Sequence, residues 1–286
     1  MFADIRGTRL YFDVSGMGLV PDGGQMVQRP VGFAIHGGPG GDHTAFKTAF
    51  APLFDQMQIL FFDHRGQGRS AKGDPEHYTL DENVEDMEAL RRHLGLERII
   101  PIGTSYGGMV AMAYAARYPQ AVEKLVLCVT AAHGGFIERA QAFIAAHGTP
   151  EQQAVCDMLW AGAFETQEQL ERYYAAMGPL YSRNFDPEAA ALARSRSSHS
   201  PEPLNRAFRP GGVLRLFDLR PELARITAPT LILAGRHDWI CPPDFSEEIH
   251  RLIPGSQLHI FENASHSLRN DLGSEQTDWI SRFVSG

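Results

Sequence analysis

The chain has 286 residues, 43% apolar, 10% aromatic and 21% charged, which suits one large domain or a domain carrying an insertion. A formal net charge of −8 and a pI near 5.8 argue against a nucleic acid or an anionic membrane surface as partner. The three cysteines, Cys128, Cys156 and Cys241, are widely spaced and form no C-x-x-C pair, so neither a disulfide framework nor a structural zinc is expected.

In chain order, Met1 to Arg6 shows no basic start leading into an apolar run, and no apolar stretch reaches the roughly 20 residues needed to span a bilayer. A cytoplasmic protein without a membrane partner is the expectation. Residues 1–14 read as two short strands turning at Gly7-Thr8, the second supported by alternation in Leu10-Tyr11-Phe12-Asp13-Val14. Glycines and prolines over 15–30 predict a loop or hairpin tip. Short, nearly continuous apolar runs follow at 31–35, 58–62, 98–102, 124–129, 230–234 and 257–261, as parallel strands covered on both faces require. Leu80 to Leu94 between them reads as a helix, with acids near its start and Arg91, Arg92 and His93 near its end.

Alternating strands and helices imply an α/β fold with a mostly parallel sheet and helices on both faces. Pro101 breaks the local rule, because a central strand loses a ladder donor there. The alternation stops at about residue 133. From there to 215 the composition predicts helices, clearest at 151–160 and 166–177, punctuated by Gly178-Pro179, Asp186-Pro187 and Pro201-Glu202-Pro203. The expected organisation is a core of residues 1–132 and 216–286 with a helical lid over 133–215.

Chemistry concentrates where strands end. Gly103-Thr104-Ser105-Tyr106-Gly107-Gly108 follows one apolar run and precedes a helical segment. A serine between two glycines at a strand-to-helix turn is a nucleophile elbow, with Ser105 as its nucleophile. Serine needs a general base, which in turn needs an orienting acid. Asp238 follows the strand at 230–234, and His266 follows the last strand, in the order Ser, acid, His. Asp244 and Asp271 are the other acids within reach of that reading.

An oxyanion needs two N–H donors. Tyr106, directly after the serine, is one candidate, and Gly38 in His36-Gly37-Gly38-Pro39-Gly40-Gly41 is the other. His36 reads as a buttress of that loop, and Asp63 and Arg65 as braces beneath it. Gly66-Gln67-Gly68-Arg69-Ser70-Ala71 matches a dinucleotide fingerprint, but no helix begins there, so that reading is rejected. No phosphate-loop or metal-ligand spacing is present. No cofactor and no metal are expected.

The H-G-G-P-G loop at 36–40, D-x-R-G-x-G-x-S at 63–70, G-x-S-x-G-G at 103–108, G-x-x-D at 235–238 and the late His266 resemble the α/β-hydrolase superfamily. H-G-G-P-G together with D-H-R-G-Q-G-R-S is most similar to the proline iminopeptidases, which are serine peptidases. The resemblance covers residues 31–131 and about 218–270 but not the lid. It implies an acyl-enzyme mechanism and a small-molecule or short-peptide substrate with N-terminal proline or another small residue. The alternative is a carboxylester or lactone.

Acidic lid residues hold the substrate amine in that family. Here Glu165, Glu168, Glu171, Glu188 and Glu202 are available, without a matching motif. The lid aromatics Phe143, Trp160, Phe164, Tyr173, Tyr174 and Tyr181 are candidate pocket or lid-core residues. Epoxide hydrolases and haloalkane dehalogenases share the superfamily fold but need a carboxylate where Ser105 stands. A non-catalytic binding protein on the same scaffold is disfavoured by the complete triad. The oligomeric state stays open.

Overall fold

The computed structural model describes residues 1–286. β1 (Phe2–Ile5) and β2 (Thr8–Ser15) form a hairpin that turns at Arg6-Gly7, both at positive φ. β3 (Leu19–Asp22) and β4 (Gln25–Gln28) make a separate two-stranded hairpin in the stretch expected to be a loop or hairpin tip. The central strands are β5 (Val31–Ile35), β6 (Gln58–Phe62), β7 (Ile100–Thr104), β8 (Leu125–Cys128), β9 (Thr230–Gly235) and β10 (Gln257–Phe261). Eight strands form one sheet in the order β1-β2-β6-β5-β7-β8-β9-β10. The six central strands run parallel, and β1 and β2 are antiparallel at one edge.

The helices are α1 (Thr44–Ala49), α2 (Leu80–His93), α3 (Tyr106–Arg117), α4 (Gly135–His147), α5 (Pro150–Ala161), α6 (Gln167–Tyr181), α7 (Pro187–Ser195), α8 (Pro201–Phe208), α9 (Val213–Leu216), α10 (Pro243–Leu252), α11 (Leu268–Asp271) and α12 (Glu275–Ser285). Successive strand residues point to opposite faces, which sorts the apolar runs into two layers. Phe33, Ile35, Leu60 and Phe62 pack on the face covered by α2 and α3. Ala34, Ile59, Phe61, Ile102, Leu231 and Leu233 pack on the other with Phe46 of α1 and Ile280 of α12. Each fully buried Leu, Ile or Phe contributes about 1.5–3 kcal/mol, so the sheet is held from both sides.

Pro101 stands in β7 and carries the expected defect. Ile99 bridges Val122, and regular pairing with β8 resumes only at Ile102, so the missing donor falls in a gap of the ladder.

One punctuation reading needs correcting. Gly178-Pro179 does not end a helix: α6 runs on to Tyr181. Tertiary contacts from α5 hold the helix at the lost donor: Gln152 Nε2 donates to the Ala176 carbonyl at 3.1 Å, and Cys156 Sγ meets Met177 Sδ at 3.6 Å. Asp186-Pro187 and Pro201-Glu202-Pro203 do punctuate the stretch, opening α7 and α8, since proline in a first helical turn forfeits no bond. α5 and α6 start on capping boxes, Thr149 with Gln152 and Thr166 with Gln169.

Candidate active site

The loops at the carboxyl ends of β5, β6, β7, β9 and β10 carry Gly38, Asp63, Ser105, Asp238 and His266 at one end of the sheet. Ser105 follows β7 at φ 56° and ψ −121°, a conformation costly for any residue but glycine. Its neighbours make that turn possible. A Cβ on Gly103 would overlap the carbonyl of Gly107, and one on Gly107 would overlap that of Ile35. The serine backbone is pinned by its N–H to the Cys128 carbonyl (2.9 Å), and Thr130 Oγ1 donates to its carbonyl (2.8 Å). Ser105 Oγ makes no hydrogen bond and opens onto a cavity of about 520 Å³.

His266 lines the same cavity. Its Nδ1–H donates to Asp238 Oδ2 at 2.7 Å, which leaves Nε2 as the free acceptor. Asp238 Oδ1 accepts the N–H groups of Ile240 and Cys241 at 3.0 and 2.9 Å. That carboxylate is buried and has no free oxygen, so its position is determined on three sides. The other two acids are engaged elsewhere. Asp271 accepts from Ser265 N–H, Ser182 Oγ and Asn184 N–H, and Asp244 lies 3.4 Å from Arg139.

Gly38 and Tyr106 both line the cavity, and neither backbone N–H has an acceptor within the chain. Gly38 sits at φ 119°, reachable without strain only by glycine. The Tyr106 side chain is buried, its hydroxyl accepting from Asn83 Nδ2 at 2.7 Å. His36 Nδ1–H donates to the Gly37 carbonyl (2.8 Å), and its Nε2 accepts from His64 N–H (3.2 Å), the buttressing role expected of it. Asp63 braces the loop through His43 N–H, His43 Nδ1–H and Arg69 N–H. Those donors hold its carboxyl down at about 2 despite burial, which acts in the opposite direction. Arg65 grips Asp86 with two hydrogen bonds, 2.6 and 2.5 Å.

Tyr173, Tyr174 and Tyr181 line the cavity, whereas Phe143, Trp160 and Phe164 lie outside its wall. Glu165, Glu168, Glu171, Glu188 and Glu202 are all exposed, and none lines it. The carboxylates in the lining are Asp42 and Asp186. Asp42 ties α1 to the segment between α7 and α8 by accepting from Thr44 N–H and Ser198 N–H, and Gly40 carbonyl accepts from Ser200 N–H.

Sequence reasoning missed Asp42, His199, Arg194 and Arg269, which also line the cavity. Burial lowers the His199 pKa and keeps the ring neutral. The arginines did carry a signal: neither has an acid three or four residues away, so neither can pair along its own helix. No cluster of three or more His, Cys, Asp or Glu side chains is arranged to hold a metal ion. No helix is long and apolar enough to cross a membrane.

Sheet order, elbow and cavity define an enzyme of the hydrolase class built on the α/β-hydrolase fold, and residues 33–268 match the family model described as the alpha/beta hydrolase fold. A proline iminopeptidase of Pestalotiopsis fici is 34% identical over 281 residues, covering 95% of each chain. The chain belongs to the proline iminopeptidase family of α/β hydrolases. The same fold recurs in a proline iminopeptidase from Mycobacterium smegmatis, with TM-score 0.77 and 22% identity over 100% of this chain and 97% of that one. It recurs also in an esterase from Exiguobacterium antarcticum, with TM-score 0.78 and 23% identity over 100% and 99%.

Proposed function

We propose that the chain is a serine hydrolase that works through an acyl-enzyme and releases an N-terminal proline or small residue from a short peptide. One observation carries the chemistry: Ser105, at a strained turn, opens onto the same cavity as an imidazole whose other nitrogen is held by Asp238. His266 Nε2 takes the proton of Ser105 Oγ as the oxygen attacks the substrate carbonyl. The N–H groups of Gly38 and Tyr106 receive the oxyanion. His266 then protonates the departing amine, and the acyl group stays on Ser105. Water, deprotonated by His266, cleaves the ester and restores the serine.

The substrate follows from the 34% identical relative named a proline iminopeptidase and from a tyrosine-lined cavity suited to a pyrrolidine ring. A second reading, a carboxylester or lactone, is favoured by the exclusion of all five lid glutamates from the cavity. Residues 133–215 act as a lid on a core of 1–132 and 216–286. Support comes from the pairing at the base of the insertion, where His133 bridges Asp218 and Leu219 N–H donates to the Ala132 carbonyl at 2.8 Å. Three buried free thiols fit a reducing compartment such as the cytoplasm.

The test compares kcat/KM for proline p-nitroanilide and p-nitrophenyl butyrate, with Ser105→Ala as blank. Ser105-dependent turnover of the anilide, lost when its amine is acylated, is expected. Turnover of the ester alone would replace the peptidase reading with the second one.

A further inference from the structure

Two guanidinium groups line the cavity without a carboxylate to neutralise them. Arg269 belongs to α11, three residues after His266, and lines the cavity with His266, Phe46 and Asn270. Its guanidinium lies over the Phe46 ring, 5.4 Å from the centroid. It forms no hydrogen bond and no ion pair within the chain. The adjacent acid, Asp271, is committed to Ser265, Ser182 and Asn184. Burial pushes the Arg269 pKa down, and no nearby charge pushes it back. Arg194, from α7, lines the cavity and is also unpaired.

The acids that line the cavity do not answer these cations. Both oxygens of Asp42 accept backbone N–H groups, and Arg69 stands 3.6 Å from it. Asp186 caps the first turn of α7. Neither arginine has an ion-pair partner, although the chain carries a net charge of −8. Both side chains are half-buried, so an anionic group entering the cavity meets cations that no carboxylate of the chain already holds. A guanidinium can bind a carboxylate through two parallel hydrogen bonds.

The position of Arg269 assigns the side of the substrate concerned. His266 must reach the leaving group in order to protonate it, so the leaving group lies beside His266. Arg269 is carried by the short helix that directly follows that histidine.

We propose that Arg269 binds a carboxylate on the leaving-group side of the substrate. The proposal rests on the peptidase reading above and narrows its short peptide to a dipeptide with a free C-terminus. The amide nitrogen that departs then belongs to an amino acid whose carboxylate is held by Arg269.

The experiment compares kcat/KM for Pro-Ala and Pro-Ala-NH2, which differ only in that carboxylate. Wild-type protein is expected to prefer the free acid at least ten-fold, mainly through KM, because the contact is made equally before and during reaction. Arg269→Gln is expected to bring the ratio close to one, and Arg269→Lys to retain part of it. Equal turnover of the two peptides by wild type overturns the proposal. So does an Arg269→Gln variant that keeps the full preference. The wild-type comparison needs no variant, so impaired folding of the Arg269→Gln protein leaves the test standing. If neither peptide is cleaved while p-nitrophenyl butyrate is, the peptidase reading falls by itself. The same question then passes to 4-butyryloxybenzoate and 4-butyryloxybenzamide. A preference for the benzoate supports Arg269 as a carboxylate site, and equal rates overturn it.

Discussion

Asp238 has three donors on two oxygens, and the substitution Asp238→Asn separates its two tasks. The amide oxygen keeps the Ile240 and Cys241 N–H groups, while its NH2 turns toward His266 Nδ1. The imidazole must then carry its proton on Nε2 and can no longer accept one from Ser105. We expect kcat to fall about 10⁴-fold while the protein stays folded. A loss of less than ten-fold in a kinetic assay would remove Asp238 from that role. At this scale the sequence was most legible where local backbone geometry dictates residue type. Gly103 and Gly107 flank the serine because any side chain there meets a carbonyl, and that constraint shows in the amino-acid order. Arg269 was harder to recognise, because what matters about it is the partner it lacks in space.

At the scale of elements, the elbow depends on how closely α3 approaches β5. Gly107 is in the first turn of α3, and its missing Cβ leaves room for the Ile35 carbonyl at the end of β5. Gly107→Ala should therefore destabilise the fold by about 1–3 kcal/mol, as overpacking does, and lower the melting temperature by several degrees. An unchanged melting temperature would mean that α3 is free to shift away from the sheet. β5 and β6 were legible in the sequence because both of their faces are apolar, and they, like the edge strand β10, have the predicted limits. The helices of the insertion were less so. Gly178-Pro179 read as a stop, but α5 carries α6 through it, with Gln152 on the Ala176 carbonyl and Cys156 against Met177. Local propensity is a weak guide where tertiary contacts supply most of a short helix's stability.

For the whole molecule, acid is the condition under which the buried polar framework should fail. His64 is buried among the rings of His36, Phe62 and Tyr106, and neither of its ring nitrogens has a hydrogen-bond partner. Burial drives the His64 pKa well below 6.5 and lowers that of His36. The unfolded chain binds these protons first, so their contribution to stability is complete above pH 6.5 and shrinks as pH falls below it. Asp63, held at about 2, adds a second loss that begins near its ordinary value of 3.8. That loss amounts to about 2 kcal/mol once the carboxyl is protonated. Urea unfolding between pH 7 and 4 should show stability falling throughout, with a shallower slope between pH 6.5 and 5 in His64→Phe. An identical slope in that variant would mean His64 is not the group being titrated.

Strand periodicity by itself indicated an α/β fold, and the motifs at the strand ends, through their resemblance to the α/β hydrolases, indicated the superfamily and the order of serine, acid and histidine along it. Those properties depend on neighbours a few residues apart and on which faces of a strand are apolar. The cavity lining was decided only when distant segments came together. Residues of α6, α7, α8 and α11 line one cavity with those at the carboxyl ends of the strands, which leaves Glu165, Glu168, Glu171, Glu188 and Glu202 outside it and Arg194 and Arg269 inside. Whether a charge faces water or substrate depends on packing between segments far apart in the chain, and no local pattern encodes it.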